Sequence, residues 1–194
     1  MVVDKAELNG PDSGVEATVT VSTLTQGKKS PVEDALVVVY DAGRNSVVAQ
    51  GTTDADGKVQ LDVNPKPQYD LVAFCKEYKF LVKKNGRLSK PLDLTMSPLP
   101  KRQSIAVVDG SGLSLFDEKE KDIQVGATYG GHTSCDFRCM NNQALIGYDK
   151  PKLTTIQRCN VGQSFSVKKG NRMAACDVLW SLPTGFVVQY RVSP

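Results

Sequence analysis

Histidine and tryptophan are scarce in this 194-residue chain, which contains one of each. Because many side-chain nucleophiles rely on a neighbouring histidine, every such mechanism would have to use His132. The chain also lacks the phosphate-binding Gly-x4-Gly-Lys, the dinucleotide-binding Gly-x-Gly-x2-Gly and the metalloprotease His-Glu-x2-His. These absences remove the enzyme classes that are easiest to read from a sequence, and we expect a protein without catalysis or a cofactor.

Long apolar runs are missing as well. No stretch approaches the roughly 18 consecutive apolar residues of a membrane-spanning helix, and Met1–Lys5 lacks the apolar core of a signal peptide. We therefore expect no membrane span, and either a cytosolic protein or one whose leader has been removed. The 40% of hydrophobic and 23% of charged residues are typical of a folded globular protein.

A strong excess of one charge is also absent. The net charge is +3. The positive excess lies after residue 99, where the chain contains 12 lysines and arginines and 8 aspartates and glutamates. Nucleic-acid-binding proteins usually concentrate a larger basic excess on one face or stripe. We therefore expect no nucleic-acid partner.

The first half of the chain alternates apolar and polar residues with the period of half-buried strands. From Val15 to Val21, the apolar Val15, Ala17, Val19 and Val21 share one face. The same pattern, broken by turn-forming residues, predicts further strands at 35–40, 47–53, 58–63, 69–75, 79–82 and 92–96. Seven short strands at this spacing are typical of an antiparallel β-sandwich.

Four of these segments resemble a known group of domains. Pro31-Val-Glu-Asp-Ala35, Val37–Asp41, Gly51-Thr-Thr-Asp-Ala-Asp-Gly57 and Tyr69-Asp-Leu-Val-Ala73 are similar to carboxypeptidase regulatory-like, Cna-B-like and prealbumin-like sandwiches. The resemblance covers residues 15–98 and implies an Ig-like or prealbumin-like fold used as a spacer, stalk or accessory module. Some Cna-B-like domains form an isopeptide bond from a first-strand lysine, but Val15–Val21 contains none.

The segment Ser97-Pro-Leu-Pro-Lys-Arg-Gln103 marks a domain boundary, because its prolines remove backbone donors and polar residues follow them. We predict a flexible arm at 1–14, a sandwich at 15–98, a short linker at 99–103 and a second domain at 104–194. Alternation at 105–107, 123–127, 165–167 and 186–192 predicts that the second domain is also β. The chain is thus expected to be all-β.

Two charged segments of the second domain are predicted to lie in solvent. The run Asp117–Asp122 mixes both signs and has no apolar stripe, which is typical of a solvated loop or a single helical turn. Lys168–Arg172 has the composition of a cationic hairpin tip.

Four of the five cysteines lie in the second domain. Cys75 alternates with Tyr69, Leu71 and Ala73, which predicts a buried thiol in the first core. The others are Cys135, Cys139, Cys159 and Cys176. In an oxidising compartment they would form two disulfides, paired 135–139 with 159–176, 135–159 with 139–176, or 135–176 with 139–159.

Zinc is the competing interpretation of these residues. His132, Cys135 and Cys139 fall within one loop beside Gly130-Gly131, and Cys159 or Cys176 would complete a four-ligand site. The Cys-x3-Cys spacing is not that of the common zinc knuckle, so no metal is our main expectation. A thiol-dependent protein centred on His132 and Cys135 is a further alternative.

Aromatic residues supply the candidate ligand contacts. Trp180 could be a core residue or a stacking platform for a sugar ring, which Tyr129, Tyr148 and Tyr190 would extend. The Asp54–Gly57 segment is expected to form a hairpin turn rather than a calcium loop, since no glutamate closes it.

These observations predict a non-catalytic structural or interaction protein, secreted or at the cell surface, such as a filament, stalk or coat subunit. Its partner would be another protein or a second copy, with the arm Val2–Gly14 as the contact element. A carbohydrate-binding module is the alternative.

Overall fold

The computed structural model describes residues 15–25, 28–41, 46–63, 68–88, 90–116, 119–126, 134–140, 144–147 and 155–193. Throughout these ranges the chain is all-β, which confirms the predicted fold class. The predictions for the arm 1–14 and for His132, Tyr129 and Tyr148 lie outside the described residues. No helix suited to crossing a membrane occurs in the described ranges.

Eight strands of the first half form a two-sheet sandwich. They are β1 Val15–Thr25, β2 Lys28–Pro31, β3 Leu36–Asp41, β4 Val47–Thr52, β5 Lys58–Val63, β6 Tyr69–Phe74, β7 Leu81–Gly86 and β8 Leu92–Met96. Sheet A has the order β2-β1-β5, with β8 parallel to β1, and sheet B has the order β4-β3-β6-β7. Their facing apolar side chains, among them Val19, Val37, Leu61 and Leu71, form the first core.

Eight strands of the second half form two further sheets. They are β9 Gln103–Asp109, β10 Ile123–Val125, β11 Ser134–Cys139, β12 Ala144–Gly147, β13 Ile156–Asn160, β14 Ser164–Lys169, β15 Arg172–Ser181 and β16 Gly185–Ser193. Sheet D has the order β12-β14-β15-β16-β9, and sheet E the order β10-β11-β13. A second core between them contains Phe137, Phe165 and Phe186, with the Phe137 and Phe165 ring centroids 4.6 Å apart.

The two halves also share a third core. Val38, Tyr40, Val72 and Phe74 of sheet B pack against Ile105, Leu182 and Val187 of the second half. The sheets are therefore stacked in the order A, B, D, E, and both inner sheets are covered on both faces. Because both faces of β3 are covered, its residues form an unbroken apolar run and do not alternate with polar ones.

Several predicted boundaries need correction. Lys28–Pro31 lies outside the predicted strands, but it pairs with the end of β1 as an edge strand. Lys84–Gly86 also lies outside the predicted strands and completes β7. Cys75 is only partly buried, because the strand ends at Phe74 and its thiol lies 3.6 Å from the Glu33 carbonyl oxygen.

The Asp54–Gly57 turn has a side-chain explanation. One carboxylate oxygen of Asp54 accepts hydrogen bonds from the backbone N–H of Asp56 at 2.9 Å and of Lys58 at 2.8 Å. Gly57 has φ +73° and lies against the Val21 carbonyl oxygen, where a Cβ would collide. The turn thus positions β5 beside β1.

Candidate functional site

A cleft of about 880 Å³ opens beside β9 and includes residues of both halves. Its floor consists of Ser104, Ala106, Tyr190 and Val192, on neighbouring strands β9 and β16. One wall is the segment 113–116, which follows β9. This volume lies within the range of about 300–1,000 Å³ that is usual for ligand sites in proteins.

Three cations line this cleft, and each comes from a different segment. Lys76 follows β6, Arg102 lies in the connection between the halves, and Lys121 precedes β10. The described residues of the cleft lining include no aspartate or glutamate. None of the three cations forms a salt bridge with another residue in the described ranges. Among the described residues the cleft is thus lined by three cations and by no carboxylate, and we call it the cationic cleft.

Arg102 has an unfavourable backbone conformation. Its φ is +68°, and the Gln103 N–H donates to the Pro100 carbonyl oxygen at 3.2 Å across a four-residue turn. A positive φ at the third turn position normally selects glycine or asparagine. An arginine there costs on the order of 1 kcal/mol, and such strain is concentrated at functional sites in proteins.

Buried Asp122 holds the wall of the cleft in place. One of its carboxylate oxygens accepts hydrogen bonds from the backbone N–H of Leu115 at 2.7 Å and of Phe116 at 3.0 Å. Asp122 is 0% exposed, which corrects the prediction that 117–122 is wholly solvated. Residues 119–121 are exposed as expected. The Asp122 side chain is buried instead, because it accepts hydrogen bonds from buried backbone N–H groups of the wall.

The β14–β15 hairpin supports the same wall. Lys169 lies 2.7 Å from Glu120 and 3.0 Å from Asp122, and these hydrogen bonds raise the pKa of Lys169 above its ordinary 10.5. Arg172 donates to the Phe116 carbonyl oxygen, with its guanidinium carbon 5.2 Å from the centre of the Phe116 ring. These two cations of the predicted solvent-facing tip are therefore structural.

Of the two sequence-predicted ligand contacts that the structure describes, Tyr190 lies in the cleft. It stands opposite Ser104 on β9, and burial raises the pKa of its phenol above 10.0 while the hydrogen bond with Ser104 opposes that rise. The phenol is thus neutral near pH 7. Ser114, also in the lining, has a buried hydroxyl oxygen for which no hydrogen-bond partner is found among the described residues.

Trp180 lies elsewhere, in the third core. Its indole N–H donates to the Tyr40 hydroxyl oxygen at 3.0 Å, and its ring centroid is 5.9 Å from that of Phe80. Tyr40 in turn donates to the Ser181 carbonyl oxygen at 3.3 Å. The indole thus connects the two halves of the chain, and it does not share a surface with Tyr190.

The structure shows all five cysteines as thiols, so the expected disulfides are not shown. Cys135 and Cys159 stand directly opposite each other on β11 and β13 and are both buried. Cys139 pairs with Ile123 of β10, and Cys176 lies on sheet D. No group of three His, Cys, Asp or Glu within the described ranges is placed to hold a metal ion.

Burial controls the chemistry of these thiols. It raises the pKa of Cys135 to about 12 and that of Cys139 to about 11, and it raises the pKa of Cys176 further. Neighbouring acidic groups add to each rise: Cys159 and Asp136 beside Cys135, and Asp122 beside Cys139. Thiolates, which are the nucleophiles and metal ligands, are therefore scarce here at neutral pH.

Comparisons with known proteins give no family. No protein-family model and no curated protein matches the chain. A minor pilin of Streptococcus agalactiae, GBS52, is 13% identical with a TM-score of 0.34, and the match covers 46% of each chain. A DUF3823 family protein from Parabacteroides merdae is 10% identical with a TM-score of 0.31, over 91% of this chain and 96% of that one.

These likenesses are weak. The chain spans about half the length of the pilin that it matches. Identities and TM-scores of this size leave the function to be argued from the molecule's own residues.

Proposed function

We propose that this chain is a non-catalytic interaction protein that binds an anionic partner in the cationic cleft. The observation that carries the proposal is the convergence of Lys76, Arg102 and Lys121 on one cleft, in whose lining the structure describes no carboxylate. The left-handed Arg102 supports it, because a strained residue persists where its side chain has a use.

The thiols favour binding over catalysis. A nucleophilic cysteine needs a lowered pKa, and burial moves the pKa of Cys135 in the opposite direction, to about 12. In the cleft, the pKa of the Tyr190 phenol is also raised, so this group is poorly suited to act as a base at pH 7. The mixed apolar and cationic lining suits recognition of an amphipathic anion.

Calorimetric titration with defined anions tests this proposal. A decaglutamate peptide and a heparin hexasaccharide are the probes, with decaglutamine and maltohexaose as neutral controls. We expect at least one anion to bind at low salt, and binding to weaken as salt screens the charges. Replacing Lys76, Arg102 and Lys121 together with glutamine should weaken it about tenfold or more. Equal affinity of the triple variant, or no binding of either anion, contradicts the proposal.

Arg102→Gly separates the two roles of this residue. Glycine adopts φ +68° without strain, so the free energy of unfolding should rise by about 0.5–1 kcal/mol while anion binding weakens. Lys101→Gly is the matched control, since Lys101 is exposed and outside the cleft lining. It should leave binding unchanged and bring no gain in stability. A loss of stability in Arg102→Gly would show that the arginine itself supports the turn.

We further propose that an oxidising environment joins Cys135 to Cys159. Opposite residues of an antiparallel pair have Cα atoms about 4.5–5.5 Å apart, within the span of a disulfide. Oxidation by glutathione disulfide would transfer two hydrogens from the thiols to glutathione and form one S–S bond. Secretion or surface exposure is part of the same proposal, because such bonds persist mainly outside the reducing cytosol.

Non-reducing peptide mapping tests this pairing. After oxidation we expect a mass loss of two hydrogens, with the peptides of Cys135 and Cys159 linked. The raised pKa of Cys135 should make the reaction slow at pH 7 and faster as the pH rises towards 12. Cys176→Ser should still form the bond, whereas a 139–176 or 135–139 link would refute the assignment.

A further inference from the structure

The sequence contains a segment whose chemistry complements the cationic cleft. Residues 1–14 carry the carboxylates Asp4, Glu7 and Asp12 against the single cation Lys5, together with the apolar Val2, Val3 and Leu8. The cleft presents three cations around a lining whose partly exposed apolar residues are Ala106, Leu113 and Val192. Both charge and polarity pattern therefore match.

We propose that the cationic cleft binds residues 1–14 of a second copy of this chain. The inference rests on the proposed function and names the partner at that site. In this arrangement, carboxylates at Asp4 and Glu7 meet the cations at the rim, and the apolar residues of the segment cover the floor. Burial of this apolar surface adds to the charge attraction, which alone would be weak at physiological salt.

The order of the sheets favours a second copy over the same chain. Residue 15 starts β1 in sheet A, an outer layer, and sheet B separates it from sheet D, which carries the cleft floor. A segment leaving sheet A would have to pass around sheet B to enter its own cleft. Binding to another copy needs no such path.

Assembly of this kind joins two different surfaces, the segment of one copy and the cleft of the next. Such a contact is heterologous, and it builds rings when the rotation closes and open filaments when it does not. An open assembly would keep one unused segment at one end and one unused cleft at the other.

Analytical ultracentrifugation of two complementary variants tests the proposal. One variant lacks residues 1–14, and the other carries Arg102→Gln with Lys121→Gln. We expect the full chain to form larger species as its concentration rises and each variant to remain monomeric. A mixture should form a 1:1 dimer and nothing larger, because it contains one intact segment and one intact cleft. A mixture that stays monomeric overturns the proposal.

Two sequence controls sharpen the result. Asp4→Asn combined with Glu7→Gln should abolish association, whereas Lys5→Gln, which makes the segment more acidic, should strengthen it about two- to fivefold. Lys101→Gln, beside the cleft but outside its lining, should have no effect. Association that ignores the segment's charges would contradict the assignment.

The outcome also separates this inference from the proposed function. If the variant lacking residues 1–14 binds decaglutamate or heparin but not a synthetic peptide of residues 1–14, the cleft is an anion site and the partner is wrong. If that variant binds the peptide while the full chain is monomeric at every concentration, docking occurs within one chain and the second-copy proposal fails. If neither anion nor peptide binds, both proposals fail.

Discussion

Replacing Asp122 with alanine should lower the free energy of unfolding by about 3 kcal/mol. The substitution removes the acceptor of two buried backbone N–H groups, those of Leu115 and Phe116, and an unsatisfied buried donor costs about 1–3 kcal/mol. Urea denaturation monitored by circular dichroism measures the change. Because these bonds fix one wall of the cationic cleft, anion binding should fall in the same variant.

Glu120→Ala is the control for Asp122→Ala. Glu120 contacts the same Lys169 amine, but its side chain is 62% exposed, whereas that of Asp122 is 0% exposed. An exposed ion pair contributes at most about 1 kcal/mol, so Glu120→Ala should change the stability little. Hydrogen exchange should show faster amide exchange at 115 and 116 only in Asp122→Ala. Equal losses in the two variants would mean that charge alone, rather than the buried hydrogen bonds, stabilises the wall.

Val72→Asp should be still more destabilising, by at least about 4 kcal/mol. Val72 lies in the third core with 1% of its surface exposed, and a carboxylate there has no cation beside it among the core residues. Val82→Asp is a close control, because Val82 is the cross-strand partner of Val72 on β7 and is 37% exposed. It should cost less than about 1 kcal/mol. Similar midpoints of urea unfolding for both variants would argue against a tightly packed contact between the halves.

The sequence predicted the strands best where one face of a strand is buried and the other is exposed. Lys58–Val63 alternates exposed and buried residues as a half-buried strand does, and both its bounds and its faces are confirmed. Lys28–Pro31 escaped prediction because an edge strand of polar residues carries no apolar period. The continuous run of β3 signals burial on both faces, but not which second sheet covers it.

The candidate site was harder to predict than the fold. Lys76, Arg102 and Lys121 are far apart in sequence, and only the packing of the two halves brings them to one cleft. Of the four aromatic candidates, Tyr190 lies in the cleft, and Trp180 is in the third core. Asp122 ends a charged run with the composition of a solvated loop. A sequence does not show which carboxylate will accept hydrogen bonds from buried N–H groups.

The positive φ of Arg102 was equally hidden. Pro100-Lys-Arg-Gln103 contains a proline, which suggests a turn, but no glycine or asparagine that would indicate a left-handed residue. A left-handed arginine leaves no mark in the sequence, so only the backbone geometry reveals it.

The stacking of sheet B on sheet D makes the two halves unsuitable for use as separate modules. A fragment ending before residue 103 would leave Val38, Val72 and Phe74 open to water, and its counterpart would expose Ile105, Leu182 and Val187. Contiguous apolar surfaces of that kind promote aggregation. The chain therefore has to be expressed, and fused to other proteins, as one piece.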